Sequence, residues 1–458
     1  MKINKILLQG LLLAAVTLTS CGGDDDNNNS GGGGSVVILE GNLESRTLSK
    51  NNQYLIKGQT FVRSGNVLTI EPGTIIKGDK ATKGTLIIDR GGRIEAVGTA
   101  SEPIVMTSNL PAGSRDRGDW GGLIILGNAP VNQVNPEIEG INPAAPYGGT
   151  NAADDSGALV HVRVEYAGIE LTPNNETNSI TLGAVGTGTQ IEYCQVSYGG
   201  DDGFEWFGGT VNGKYLISFA NWDDSFDVDF GYSGKNQFGL EVRYPSFADQ
   251  SGSNSFECDN GPNDNVTTLL TTGVFSNFTC IGPRATNAQS INANFQHSID
   301  LRRRTAATIA NSVFIGYPRG LRMNQQSVYD NYAAGTGKLI KNILVAPNTT
   351  YSVGTGMTAT VANIQSWFEA TNTTITAAIE DQFAVLGLNT NLAFGSNVTS
   401  NYAANPNFAV TSGLLTSGAE FTDATLNTWF TATTYRGAFG ATDWTDGWAE
   451  FLPNSKTY

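Results

Sequence analysis

The chain has 458 residues, of which only 15% are charged, and a formal net charge of −15. This acidic balance argues against nucleic acid or an anionic membrane surface as a partner of the protein body. Glycine accounts for 55 residues, which is typical of a chain that turns often and forms few long amphipathic helices.

The N-terminal segment predicts a lipid-anchored protein. Lys2 and Lys5 precede an apolar run, residues 6–18, that is too short to span a membrane as a helix. The sequence LTSC ends at Cys21 and resembles the lipobox of bacterial lipoproteins. This resemblance implies that residues 1–20 are a signal peptide and that Cys21 carries the lipid. An ordinary secretory signal with an unrelated cysteine is the alternative. Removal of the signal peptide takes away two lysines and changes the net charge from −15 to −17.

A polar tether follows, over residues 21–35. The stretch GGDDDNNNSGGGGS, residues 22–35, has no apolar side chain to bury and predicts a flexible linker. Its acidic cluster resembles the export signal that sends Bacteroidetes lipoproteins to the outer face of the outer membrane, and a plain linker is the alternative. No later segment has the unbroken apolar length of a membrane span. We therefore expect a lipid anchor facing the exterior.

Short strand-and-turn units repeat along residues 36–357. LTIEPGTII (68–76) and LIIDRGGRI (86–94) match at an offset of 18, which aligns Leu68 with Leu86 and Ile70 with Ile88. Further alternating segments end in Gly, Asn or Pro, at residues 162–168, 194–200, 215–221, 274–282 and 312–320. This pattern predicts an all-β solenoid and resembles the right-handed parallel β-helix of pectate-lyase-like proteins. A β-sandwich is the rival fold, but it gives no reason for residues to match at a fixed offset.

The most distinctive repeat is acidic. DDGFEWFGG (201–209) and DDSFDVDFG (223–231) lie 22 residues apart, and their alternation predicts Phe226 stacked on Phe204 in the core and Asp227 on Glu205 outside. One extra residue in the second copy predicts a small bulge. Calcium takes six to eight oxygens in irregular geometry. The carboxylates therefore predict a calcium site made of Asp201, Asp202, Glu205, Asp223, Asp224, Asp227 and Asp229. A solvated acidic ridge is the alternative, because stacked like charges cost only about 1 kcal/mol per pair in water.

Three cysteines follow the lipobox. Cys258 and Cys280 are again 22 residues apart, and an oxidising envelope would allow a disulfide between them. Two separate buried thiols are the alternative, and the state of Cys194 stays open.

Arginine is concentrated in one region of this acidic chain. The cluster predicts an anion-binding site, with charge balance on a solvated face as the alternative. Its members are Arg302, Arg303, Arg304, Arg319 and Arg322.

The pattern changes after residue 357. Residues 361–370 and 425–432 have the apolar spacing of helices, so residues 358–458 predict a partly helical cap over the open end of the solenoid. The alternative is an aromatic platform for sugar binding, built on Trp444 and Trp448.

Several motifs together resemble one family. They are the lipobox, the acidic tether, the block DDGFEW with WDDSFDVDFG, the stretch RRR…IGYPRG and the terminal RGAFG…W…GW. They resemble a largely uncharacterised family of Bacteroidetes cell-surface lipoproteins, some of which are encoded beside TonB-dependent receptors. The resemblance implies a surface location and a β-helix, and it transfers no catalytic residue.

These features predict a ligand-binding or accessory protein more readily than an enzyme. His161 and His297 lack metal-ligand spacing, and no G-x-S-x-G elbow, Walker loop or dinucleotide fingerprint occurs. The expected ligand is a glycan or an anionic small molecule, captured with a TonB-dependent receptor. The alternatives are a polysaccharide lyase or glycosidase on the β-helix, and a structural or adhesive surface protein.

Overall fold

The computed structural model describes residues 36–173, 175–394 and 402–458. The predicted signal peptide, Cys21 and the tether lie outside these ranges. Among the described helices, none combines the length and the apolar character needed to cross a bilayer.

Short strands dominate the chain. They are β1 (Val36–Leu43), β2 (Arg46–Leu48), β3 (Gln53–Val62), β4 (Val67–Ile70), β5 (Ile75–Gly78), β6 (Thr85–Ile88), β7 (Arg93–Val97), β8 (Ile104–Ser108), β9 (Leu123–Leu126), β10 (Gly157–Glu165), β11 (Glu170–Thr172), β12 (Asn175–Glu176), β13 (Ile180–Gly183), β14 (Gln190–Ser197), β15 (Phe204–Phe207), β16 (Asn212–Phe219), β17 (Phe226–Asp229), β18 (Lys235–Val242), β19 (Phe256–Cys258), β20 (Val274–Ile281), β21 (His297–Leu301), β22 (Thr308–Ala310), β23 (Val313–Ile315), β24 (Arg319–Met323), β25 (Lys338–Ile340), β26 (Ile343–Val345), β27 (Thr349–Val353) and β28 (Thr373–Ile375). The α-helices are α1 (Gln326–Ala333), α2 (Val361–Glu369) and α3 (Ile379–Leu386).

All strands except the small antiparallel pair β11–β12 join in parallel ladders, which confirms the predicted parallel β-helix. The ladders form three faces. Face 1 contains β6, β9, β13, β15, β17, β19, β21, β24 and β27. Face 2 contains β2, β4, β7, β22, β25 and the first halves of β10, β14, β16, β18 and β20. Face 3 contains β5, β8, β23, β26, β28 and the second halves of the same five strands.

The five long strands bend from face 2 to face 3 at one residue each. That residue takes a left-handed backbone conformation with φ between 49° and 64°, and in the first four of these strands its ring stacks on the ring of the neighbouring coil. The residues with aromatic rings are His161, Tyr193, Tyr215 and Phe238, with ring centroids 4.3–5.1 Å apart between neighbours. The corner therefore turns the chain and carries an aromatic ladder at the same time.

The offset of 18 residues proved to be the wrong register for stacking. Leu68 pairs with Ile94, and Leu86 pairs with Leu123, so the two similar stretches lie on different faces. Each coil contributes one short strand to each of three faces. A strand–turn–strand sequence on one face therefore resembles the sequence on the neighbouring face of the same coil, as well as its stacking partner in the next coil.

The predicted C-terminal cap is only partly what the structure shows. Helix α2 buries Ile364 and Phe368 in the main core, but β28 still pairs with β26, so the coils continue to Ile375. The helix predicted at residues 425–432 is absent from this described segment, because its threonines are tied to the coils and to Asp423.

The rest of the C-terminal region runs back along the side of the solenoid. The Tyr458 hydroxyl donates to Glu165 Oε1 at 2.8 Å, and the Gly113 backbone N–H donates to the carbonyl oxygen of Asn454 at 2.8 Å. Trp448 packs edge-on against His161 and is only 2% exposed. Trp444 donates its indole N–H to the Ala438 carbonyl and stacks on Phe439. Trp448 is therefore a core residue, and Trp444 is partly buried against the same cluster with Phe439 stacked on its ring, which favours the cap over a sugar platform.

The predicted Cys258–Cys280 disulfide is wrong. Both residues and Cys194 are buried free thiols. Cys258 lies on face 1 between Val228 and Leu301, whereas Cys280 lies on face 3. The coil that contains Cys258 begins 30 residues after its predecessor, as the Phe226–Phe256 pairing shows, so an offset of 22 does not bring these two positions together.

Candidate metal centre

Face 1 carries a ladder of acidic side chains on its outer surface. Asp227 pairs with Glu205 and Phe226 with Phe204, as the repeat predicted, and the two phenyl centroids are 6.1 Å apart. The ladder then continues beyond the two copies. In coil order its outer positions are Thr181, Glu205, Asp227, Glu257, Asp300 and Arg322. Four carboxylates thus follow one another at the spacing of about 4.8 Å between parallel strands.

Paired aspartates enter the ladder from the turns before β15 and β17. These side chains are not a solvated ridge, since Asp202 is 7% exposed, Asp224 3% and Glu205 8%. The loops that cover them include Tyr147 and Glu176. Burial of several carboxylates without counter-charge is costly, which requires a physical explanation.

The carboxylates converge in three overlapping groups. Within each group, one oxygen from every member lies within 4.8 Å of the others. The groups are Asp201–Asp202–Asp223, then Asp202–Glu205–Asp227, then Asp224–Asp227–Glu257. Neighbouring groups share Asp202 or Asp227, so they form a continuous row along the solenoid. Six of the seven residues predicted from the sequence belong to this row.

Asp229 is the predicted residue that lies apart. The predicted bulge is wrong for this pairing: β15 pairs with β17 without a shift to Phe207 and Asp229, and Phe230 (φ 50°) then has the same left-handed backbone as Gly208 (φ 71°). The Asp229 carboxylate accepts the Phe230 backbone N–H at 2.6 Å. This local turn holds Asp229 near Asp259 rather than in the row of three groups.

Glu257 is the seventh member of the row in place of Asp229, and it was not among the residues predicted from the sequence. A signal existed: Ser225-Phe226-Asp227 recurs as Ser255-Phe256-Glu257 and as Ser298-Ile299-Asp300. Long loops separate these copies by 30 and 43 residues, which hides the repeat from any search at a fixed offset.

The row has a strongly perturbed proton affinity. Burial, followed by repulsion from neighbouring carboxylates, raises the pKa of Asp201, Asp202, Glu205, Asp224 and Asp227 well above the usual range. Burial likewise raises the pKa of Asp223 to about 6, of Asp229 to about 7 and of Glu257 to about 8. A divalent cation would reverse this effect by stabilising the ionised form.

The arginine cluster neutralises only one end of the ladder. Arg302 pairs with Glu257 and lies 3.2 Å from Asp259, Arg303 lies 2.8 Å from Asp259, and Arg322 pairs with Asp300. Of the remaining predicted members, Arg304 donates to the Asp264 carbonyl and Arg319 donates to Gln296. These contacts favour charge balance within the molecule over an external anion site.

The opposite end has no such compensation. In the described part of the chain, no lysine or arginine forms an ion pair with the members of the first two groups. Protein donors reach some of their oxygens. Asn178 Nδ2 donates to Glu205, the Asp224 backbone N–H donates to Asp202 at 2.8 Å, and Ser251 donates to Asp223 at 2.7 Å.

Several buried oxygens beside these groups have no hydrogen-bond partner. They are Asp223 Oδ1, Asp227 Oδ1, Asn178 Oδ1 and the Tyr147 hydroxyl. Asn178 is 6% exposed and Tyr147 2%, and both line the same cleft as Glu205. Orphaned buried polar atoms are rare in native proteins. Carboxylate and amide oxygens are ligands that calcium prefers, so this set fits an oxygen-rich cation site.

The row opens into two adjoining clefts. One, of about 330 Å³, is lined by Asp201, Asp202 and Glu205 together with the aromatic rings of Tyr147 and Phe207. The other, of about 530 Å³, is lined by Asp201, Asp223, Asp249 and Glu176. Asp201 and Glu176 border both clefts. A cation held here would therefore be accessible to a ligand from outside.

Comparison with known proteins bears on the fold. A family model described as a pectate-lyase-like beta helix domain matches residues 41–388. A search of curated proteins and a search of solved structures each found no match. The matched range contains the whole row of carboxylates and the arginine cluster.

Proposed function

The chain belongs to the pectate-lyase-like β-helix domain family, and from this we propose that it binds an anionic glycan at the cell surface through calcium held on face 1. The observation that carries the proposal is the asymmetric ladder. Arginines compensate Glu257 and Asp300, whereas in the described residues no lysine or arginine forms an ion pair with the carboxylates of the first two groups.

Asp202 and Asp227 each belong to two groups, so each would help to hold a cation in either of two neighbouring groups. An anionic sugar entering the cleft would then meet positive charge instead of unpaired carboxylates. Phe207 and Phe230, which are partly exposed, supply an aromatic wall on which the sugar ring could pack. Binding and calcium would consequently be coupled.

This proposal predicts calcium-dependent binding of polygalacturonate, an acidic glycan used as the probe. Wild-type protein should be retarded in a native gel containing the polymer and calcium, and a chelator should abolish most of the retardation. Asp224→Asn with Asp227→Asn should behave like chelated wild type. The matched control is Asp116→Asn with Asp446→Asn, which changes the net charge equally at exposed positions outside the ladder. Wild-type retardation that is the same with and without the chelator would contradict the proposal.

A lyase is the second candidate. Arg302, kept protonated by Glu257 and Asp259 directly beside the third carboxylate group, would stabilise the anion that forms when a base removes a proton from a uronate. The same polymer distinguishes the two functions. A lyase would shorten it and generate an unsaturated product that absorbs ultraviolet light, whereas a binding protein would leave its length unchanged.

Location is part of the proposal. We expect Cys21 to be lipidated, so that the tether of residues 21–35 holds the β-helix on the exterior of the outer membrane, beside a TonB-dependent receptor that takes up the captured glycan. Two or more acyl chains give stable anchoring, whereas one binds only marginally.

Replacement of the anchor residue tests this location. Cys21→Ala should abolish lipid labelling and leave an unprocessed precursor or a released protein, whereas the wild type fractionates with the outer membrane. Cys194→Ala is the matched control, because it removes a buried thiol of the β-helix and should leave fractionation unchanged. Retention of Cys21→Ala in the outer membrane would mean that the anchor lies elsewhere.

A further inference from the structure

A third cleft lies on face 2, away from the acidic ladder. It has a volume of about 210 Å³ and is bordered by two successive coils and by Trp429. In these coils Gln190 pairs with Asn212, and Glu192 pairs with Lys214. Ile191 and Gly213, which pair with each other, lie between these two pairs along the strands. Trp429 lies outside residues 41–388, so this cleft is not a feature of the matched family domain alone.

Trp429 is the exposed tryptophan of the C-terminal region. Its side chain is 37% exposed, whereas Trp448 is 2% exposed. Its own segment is firmly attached to the coils. The Gln237 side chain exchanges two hydrogen bonds with the backbone of Thr431, at 2.7 and 2.8 Å, and Lys235 donates to Thr428 at 3.3 Å. Binding to this indole would therefore cost little conformational entropy, because its backbone is already fixed.

The polar groups around the indole match a sugar. Lys214 Nζ lies 4.7 Å from the Trp429 ring centroid and donates to Thr431 Oγ1 at 3.1 Å. Gln190 and Glu192 offer an amide and a carboxylate from the adjacent coil. One aromatic wall with a few polar groups at its edge is the usual composition of a small-ligand site. The charges of Lys214 and Glu192 cancel, which favours a neutral ligand over an anionic one.

We propose that this cleft is a separate glycan subsite that takes one neutral sugar residue, packed against the part of the Trp429 ring that Lys214 leaves exposed and hydrogen-bonded by Gln190, Glu192 and Lys214. At about 30 Å³ per water, the volume corresponds to about seven waters, which suits one sugar ring and not an oligosaccharide. The subsite holds no member of the acidic ladder, so its binding does not need calcium. It would add a second contact to a glycan that is captured on face 1.

Affinity electrophoresis with neutral polymers tests this subsite. The probes are laminarin, hydroxyethylcellulose and galactomannan, each run with excess chelator. Wild-type protein should be retarded by at least one of them, and Trp429→Ala should reduce that retardation at least tenfold in apparent affinity. Trp429→Phe keeps a ring and should retain part of the binding. Circular dichroism melts establish that each variant is folded.

A second variant avoids any dependence on the tryptophan. Gln190→Ala with Glu192→Gln removes one amide and one carboxylate acceptor from the coil and should weaken the same retardation while Trp429 stays in place. The proposal is overturned if no polymer retards the wild type, or if both variants bind as well as the wild type. Because chelator is present throughout, failure here is distinct from failure of calcium-dependent binding on face 1.

Discussion

Chelation of calcium is expected to lower the unfolding temperature of the wild-type protein by several degrees. A ligand that binds only the native state stabilises it by about 2.7 kcal/mol when present at a hundredfold excess over its Kd, and each further ion adds its own contribution. For a chain longer than 250 residues, each kcal/mol shifts the melting temperature by about 2 °C or less. The overlapping groups in the row allow more than one ion, which enlarges the effect.

Two substitutions should remove this calcium dependence and keep the fold. Asp227 belongs to two of the groups and Asp224 to one of them, so Asp224→Asn with Asp227→Asn disrupts the centre of the row. The Phe204–Phe226 contact beneath it is unchanged. In chelator the variant should melt higher than the wild type, because the buried repulsion is relieved. The exposed pair Asp116→Asn with Asp446→Asn should still respond to calcium. A wild-type melt that is identical with and without chelator would make the row purely architectural.

The chelated protein should be more stable at pH 6 than at pH 8. Burial raises the pKa of Asp229 to about 7 and of Glu257 to about 8, above the ordinary values of 3.8 and 4.5. A carboxyl whose pKa is raised on folding holds its proton better in the native state. Stability is therefore lost as the pH rises from the unfolded pKa to the folded one. Each such group costs about 1.4 kcal/mol per pH unit in that window, so several groups together lower the free energy of unfolding by several kcal/mol.

Calcium should reverse the direction of this pH dependence. The ion binds the ionised carboxylates, and protons compete with it, so the calcium-loaded protein should gain stability from pH 6 to pH 8. Thermal melts at pH 6, 7 and 8, with chelator or with calcium, measure both slopes. Asp224→Asn with Asp227→Asn should reduce the pH dependence of the melting temperature in both conditions. A chelated wild type that melts higher at pH 8 than at pH 6 would contradict the rise in the pKa of Asp229 and Glu257 on folding.

Strand alternation was enough to predict the fold and part of the site. The stacking of Phe226 on Phe204 and of Asp227 on Glu205 follows from period-2 alternation and one short, uninterrupted coil of 22 residues. Where no long loop interrupts the coils, residues separated by one coil length occupy equivalent positions in the stack. The same reasoning failed for Leu68 and Leu86, because similar stretches on two faces of one coil also repeat.

The other features of the site could not be predicted, because they depend on the paths of long loops that the sequence pattern does not reveal. Glu257 joins the row only because a long loop returns the chain to face 1 at the correct register. Asn178 and Tyr147 reach Glu205 from separate connections. Burial of the carboxylates, and hence their raised pKa, is likewise a property of the covering loops. The arginines could be recognised as a cluster, but their carboxylate partners lie 22 to 45 residues away in sequence.

Calcium bound per chain is the most direct measurement of the central claim, which is that the row on face 1 holds divalent cations. Purified wild-type protein and the Asp224→Asn, Asp227→Asn variant are dialysed to equilibrium against micromolar calcium, and the metal is quantified by mass spectrometry. We predict at least one calcium ion per wild-type chain, and at most a small fraction of that in the variant. Wild-type protein that retains no calcium above the level of the dialysis buffer would contradict the claim.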